Sequence, residues 1–104
     1  FHTEYTTKTP KHGIKNSFME QVEVNKWHIY AIEWTPEYIH WSVDGKITGR
    51  HHKPKTGNVQ NEWTFDVPFY LLLNQSIMHG VYGIKADLDK TYETQFDWIK
   101  VYQK

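Results

Sequence analysis

Residues 27–50 read WHIYAIEWTPEYIHWSVDGKITGR, and their alternation decides the fold. Within 27–34, His28, Tyr30, Ile32 and Trp34 share one face while Trp27, Ile29, Ala31 and Glu33 share the other, because successive side chains of a strand point to opposite sides. Both faces are mostly apolar, which predicts a central strand covered on both sides. Thr35-Pro36-Glu37 turns the chain, since proline cannot donate to a ladder. Residues 38–43 (YIHWSV) follow, with Tyr38, His40 and Ser42 opposite Ile39, Trp41 and Val43. Asp44-Gly45 is the two-residue reversal of a type I′ hairpin, whose central positions both need positive φ. Residues 46–50 return, completing an antiparallel meander.

Working outward, residues 1–7 (FHTEYTT) are rich in threonine and aromatics and read as a strand. The chain opens on it without a leading loop, which predicts a piece of a larger domain. Residues 8–17 hold Pro10 and Gly13 among polar residues and read as a loop. Residues 18–24 (FMEQVEV) are a further strand candidate, and 51–62 (HHKPKTGNVQNE) a polar loop. Residues 69–75 (FYLLLNQ) form a short continuous apolar run, as a buried strand does. Residues 76–92 read as an irregular excursion. In the closing strand, residues 94–103, Phe96, Trp98, Lys100 and Tyr102 alternate with Gln95, Asp97, Ile99 and Val101. No segment has a convincing helical period. Short strands separated by turns predict an all-β antiparallel β-sandwich or jelly roll.

Composition narrows the function classes. Lysine plus arginine number 12 and aspartate plus glutamate 12 in 104 residues, a balance with no long-range pull toward nucleic acid or anionic lipid. No apolar run reaches the roughly 20 residues of a membrane helix, so neither nucleic-acid binding nor membrane insertion is expected. The absence of cysteine excludes a disulfide framework and thiolate metal sites. Aromatic residues make up 16% of a chain that is only 38% hydrophobic, so rings must supply much of the buried area. Two readings stay open: a ring-rich core, or an aromatic-lined groove for sugars.

The chemistry-bearing residues are sparse. Seven histidines are present, with His51-His52 adjacent in the polar loop, but no HExxH helix accompanies them. Solvated or hydrogen-bonded histidines are the better reading. G-x-S-x-G and a glycine-rich phosphate cradle are absent. Retaining glycoside hydrolysis needs two carboxyl groups about 5 Å apart. Glu20 and Glu23 would point to opposite faces of a strand, and Glu4, Glu33, Asp66 and Asp97 stand alone in sequence. No catalytic pair is visible, and no catalytic residue is assigned.

WHIYAIEWTPEYIHWSVDGK (residues 27–46), PFYLLLN (68–74) and FDWIKVYQ (96–103), in that order, resemble the later part of glycoside hydrolase family 16, which includes laminarinases, lichenases and related endo-β-glycanases. FHTEYTT resembles the His-Thr strand that follows the catalytic strand in those enzymes. Each block is moderately specific; the ordered set spans nearly the whole chain. The resemblance implies a β-jelly-roll, of the concanavalin-like kind, with a concave sheet cut by a sugar-binding cleft. It also implies a retaining mechanism with two glutamates and an intervening aspartate, spaced E-x-D-x-E or E-x-D-x-x-E. That pattern is not in these residues. Residues 1–104 would then be the carboxy-terminal part of one jelly-roll domain, partnered by its amino-terminal half.

On the same resemblance, His2 and Asn74 line the substrate cleft. Gln75 points away from it by strand alternation. Where many laminarinase-like members carry a G-G-x-W segment, this chain has QSIMHGVYG (residues 75–83), and His79 and Tyr82 take part of that cleft wall. Asp97 matches an aspartate that in some members helps hold a structural calcium. The implied substrate is a β-linked polysaccharide, with β-1,3-glucan, mixed-linkage glucan and galactose-containing glycans all open. The implied location is secreted, periplasmic or cell-surface. A noncatalytic carbohydrate-binding or lectin-like module is the alternative. A third reading is a fragment that exposes strand edges and ring faces and folds poorly alone. Trp34 is expected in the core rather than as a sugar platform.

Overall fold

The computed structural model describes residues 1, 3–8, 17–57, 59–77, 80 and 85–103. It divides into two compact units, Phe1–Phe69 and Tyr70–Lys104. In the first unit the elements run α1 (Glu4–Lys8), β1 (Tyr30–Trp34), β2 (Tyr38–Val43), β3 (Lys46–His52) and α2 (Val59–Glu62). The strands form an antiparallel sheet in the order β1-β2-β3.

Two turns set the sheet. Thr35 closes the first: its Oγ1 accepts from the Glu37 and Tyr38 amides at 3.2 and 3.0 Å, and its own amide donates to the Tyr38 carbonyl at 2.9 Å. Asp44 and Gly45 make the second at φ +49° and +79°, the positive pair a type I′ turn requires. Beyond it the register slips between Trp41 and Ser42. Ser42 pairs with Ile47, Trp41 with Gly49 and Ile39 with His51, leaving Thr48 as the extra residue of a β-bulge.

Cross-strand partners share a face. Ile32, Trp34, Ile39, Trp41, Gly49 and His51 therefore lie on one side of the sheet, and Glu33, Tyr38, His40, Arg50 and His52 on the other. The first side carries the core. Ile39 and Trp63 are buried at 5% and 3% exposure, and Thr3 and His51 are buried polar residues. The Phe1 ring packs 4.1 Å from His51, 5.8 Å from Trp41 and 6.0 Å from Phe65, centre to centre. Trp63 stacks on His51 at 5.5 Å and meets Phe65 edge-on at 5.2 Å.

Several elements differ from the sequence reading. Residues 4–8 are helical, not a strand. Thr3 supplies the reason: its Oγ1 accepts the Thr6 amide at 3.2 Å, and Thr6 Oγ1 accepts the Thr3 amide at 2.8 Å. This reciprocal cap satisfies donors that a helix start leaves open. Residues 17–24 carry no strand, and a turn closes behind them with Lys26 N–H donating to the Glu23 carbonyl at 3.0 Å. β1 begins at Tyr30 rather than residue 27 and lies at the sheet edge, exposed at all five positions. Only β2 flanks it among the described residues, so the apolar faces that suggested a central strand stay uncovered. His51 and His52 belong to β3, and residues 59–62 form α2, within what reads as loop.

In the second unit, residues 70–75 and 94–103 form no strand, and their side chains are exposed. A strand is held by its ladder, and neither stretch has a ladder partner among the described residues. Local contacts remain. Asp87 caps a turn by accepting the Asp89 amide at 3.1 Å, and its own amide donates to the Tyr92 hydroxyl at 3.0 Å. Lys100 lies 4.9 Å over the Trp98 ring.

Candidate functional site

Among the described residues, three side-chain clusters surround the sheet. The first is a latch across the Asp44-Gly45 turn. Asp44 Oδ1 accepts the Ile29 amide at 2.8 Å, Oδ2 lies 2.7 Å from His28 Nδ1, and the Asp44 amide donates to the Ile29 carbonyl at 2.8 Å. The other imidazole nitrogen, Nε2, lies 2.9 Å from the Glu23 carbonyl. Both contacts favour imidazolium. The Asp44 carboxylate first, then the Glu23 carbonyl, raise the His28 pKa above its ordinary value. The Ile29 amide and then His28 hold Asp44 below the usual carboxylate range.

The second cluster surrounds Trp63 at the end of α2. Its indole Nε1 donates to Asp66 Oδ1 at 2.8 Å, while Lys53 Nζ donates to Oδ2 at 2.8 Å. These two donors, Lys53 first, lower the Asp66 pKa. Lys53, Gln60, Trp63, Thr64 and Asp66 help line an open groove of about 490 Å³. His51 packs beneath, where burial lowers its pKa and favours neutral imidazole.

The third cluster covers the opposite face. Tyr38 stacks on His40 with ring centres 4.2 Å apart, and His52 lies 5.3 Å from His40 and 5.8 Å from Tyr38. The Tyr38 hydroxyl donates to Glu33 Oε1 at 3.1 Å, which raises the tyrosine pKa. These groups project from all three strands onto one exposed surface.

The residues expected to contact sugar or metal fall partly outside what the structure describes. His2, His79 and Tyr82 lie outside the described residues. Asn74 and Asp97 are exposed within the second unit. Calcium takes six to eight oxygen ligands, and no three histidine, cysteine, aspartate or glutamate side chains gather as a metal set among the described residues. Asp97 by itself does not make up a calcium site. Trp34 is 47% exposed rather than core; its indole donates to the Phe65 carbonyl at 3.1 Å and its ring meets Phe69 edge-on. No helix among the described residues is long and apolar enough to cross a membrane.

The Tyr38/His40 side of the third cluster was readable from alternation in YIHWSV. His52 was not, because its face depends on the bulge. The Lys53–Asp66–Trp63 group joins residues from what reads as polar loop, and its only sequence signal is an aspartate three places after a tryptophan. The latch pairs residues 28 and 44 through a turn chosen for its φ angles, with no mark of the carboxylate's second task.

The model for the family described as Glycosyl hydrolases family 16 matches residues 2–100. The chain belongs to this family. Membership sets the fold class as an all-β jelly-roll β-sandwich, in keeping with the antiparallel meander. Among curated relatives of this family member, a keratan-sulfate endo-1,4-beta-galactosidase from Sphingobacterium multivorum is 32% identical over 77 residues, covering 74% of this chain and 18% of the relative. A beta-glucanase from Rhodothermus marinus is 34% identical over 83 residues, covering 74% and 29%. A glucan endo-1,3-beta-glucosidase A1 from Niallia circulans is 28% identical over 92 residues, covering 81% and 13%. The matched stretch thus spans less than a third of each relative's length. No solved structure matches.

Proposed function

We propose that this family 16 chain is the carboxy-terminal part of an endo-acting, retaining glycoside hydrolase that cleaves β-linked polysaccharide. The family match across residues 2–100 carries the reading. Relatives named for β-glucan and for keratan-sulfate cleavage support a β-glucan or galactose-containing substrate. The 104 residues hold neither E-x-D-x-E nor E-x-D-x-x-E, so in this reading the catalytic carboxylates lie outside this stretch. This stretch supplies scaffold and cleft wall.

Within that reading His2, Asn74, His79 and Tyr82 contact the sugar, and Asp97 gives one oxygen to a structural calcium whose other ligands lie elsewhere. The exposed apolar side of β1, with Tyr30 at 67% and Ile32 at 62% exposure, is the surface that the amino-terminal half of the domain covers. An enzyme for extracellular polysaccharide would be secreted, periplasmic or cell-surface. The test is a panel of β-1,3-glucan, mixed-linkage β-glucan and β-galactans incubated with the whole protein carrying this stretch, with product sizes followed over time. Early oligosaccharides of mixed length support an endo-acting hydrolase. Binding without hydrolysis of any glycan would shift the assignment to a carbohydrate-binding module.

A further inference from the structure

We propose that His40 and His52 form a two-imidazole binding site for a divalent ion of the zinc class, outside the family chemistry described above. Their Nε2 atoms lie 3.4 Å apart, while their ring centres are 5.3 Å apart and their planes tilted by 59°. The nitrogen edges therefore face each other, and the rings do not stack. Zinc binds imidazole nitrogen at about 2.0–2.1 Å in tetrahedral geometry, which places two ligand nitrogens about 3.3–3.4 Å apart. The pair already has that spacing. It is long for a mutual hydrogen bond, since N–H donors normally sit about 2.7–3.2 Å from their acceptors.

The sheet holds both rings in place. The bulge at Trp41/Ser42 sets Tyr38 against His52 and His40 against Arg50, so both imidazoles share one face on adjacent strands. Tyr38 stacks on His40 and is itself tied to Glu33 through its hydroxyl. Glu33 stands directly across from His40 on β1, and Arg50 across from it on β3. The carboxylate offsets the guanidinium beside a bound cation. Two imidazoles suit zinc or copper rather than calcium or magnesium, which prefer oxygen. Water fills the remaining coordination positions.

Zinc chloride titrated calorimetrically into the whole protein carrying this stretch at neutral pH tests this, with circular dichroism confirming the fold of each variant. One equivalent of zinc should be lost in the His40→Gln/His52→Gln double variant, calcium and magnesium should not compete for it, and His28→Gln should leave the affinity unchanged. His40→Gln and His52→Gln should each weaken binding by at least the roughly tenfold that even an outer partner of a metal ligand is worth. Unchanged zinc affinity in the folded double variant would overturn the proposal, placing the ion on other histidines. If a variant fails to fold, imidazole nitrogen NMR of the unaltered protein decides. Zinc should shift the Nε2 resonances of His40 and His52, and their remaining in place would overturn the site.

Discussion

Replacing Gly49 with alanine probes the contact on which the bulged half of the sheet is packed. A Cβ at this position would fall 2.5, 2.6 and 2.9 Å from Cγ, Cδ2 and Cδ1 of Phe18. Carbon atoms pack best at about 3.5–4.0 Å, so the ring must withdraw by roughly 1 Å. Gly49 is the register partner of Trp41, and Phe18 lies over the Trp41 ring with centres 5.4 Å apart. Withdrawal therefore weakens an aromatic pair worth about 0.5–1.5 kcal/mol. Overpacking a filled site costs about 1–3 kcal/mol in total. The two figures describe one displacement and do not add. Gly49 has no positive φ, so the cost is steric, offset by about 0.4–1 kcal/mol from the reduced freedom of the unfolded chain.

Before that offset, the expected loss is about 1–3 kcal/mol, or about 5–150-fold in the folding equilibrium. Urea unfolding followed by tryptophan fluorescence and extrapolated linearly measures it. In a Phe18→Ala background the obstructing ring is gone, and Gly49→Ala should then be near neutral. A double-mutant cycle gives that coupling directly. Gly49→Ala as stable as the parent, or equally costly in both backgrounds, would refute the packing argument.

Trp63→Ala should destabilise by about 3–5 kcal/mol, the usual range for a buried aromatic, because the residue is 3% exposed and its indole donates to Asp66; urea unfolding checks this. The latch has a defined pH window. Stability from the raised His28 pKa is full below the ordinary histidine value and is lost as pH rises through the folded value; that from Asp44 is lost as pH falls through its lowered folded value. His28→Gln should thus lower stability most in weakly acidic solution, and an unfolding series showing the largest loss at alkaline pH would contradict the latch. His51 acts oppositely: its lowered pKa removes stability as pH falls from the ordinary histidine value toward the folded one. In an NMR titration His28 should therefore protonate at higher pH than His51, and the reverse order would disprove both assignments.

The meander was legible because its signals are local. β2 runs over the residues that alternation assigned, and Asp44-Gly45 turns with the expected positive φ angles. The adjacent histidines show where local reading stops. Counting back from the turn without a bulge pairs Tyr38 with His51 and sends His51 to the exposed face. The extra residue at Thr48 pairs Tyr38 with His52 instead and turns His51 into the core. A one-residue shift exchanges faces, and nothing in KITGRHH announces it. The opening FHTEYTT failed for a different reason: a two-threonine cap outweighed β propensity over five residues. FYLLLNQ and FDWIKVYQ have strand patterns, yet a pattern becomes a strand only with a partner. Among the site residues, Asn74 and Asp97 came from family resemblance, which places a residue in a motif without supplying the surrounding groups.

The most direct test of the central claim is proton NMR of mixed-linkage β-glucan, or of whichever β-linked polysaccharide the panel selects, during digestion by the whole protein. The same assay is run on residues 1–104 alone. A retaining endo-hydrolase releases oligosaccharides whose new reducing ends are first β and only later mutarotate, and residues 1–104 alone should release none. First-formed α anomers, no hydrolysis by the whole protein, or hydrolysis by these 104 residues unaided would each contradict the account.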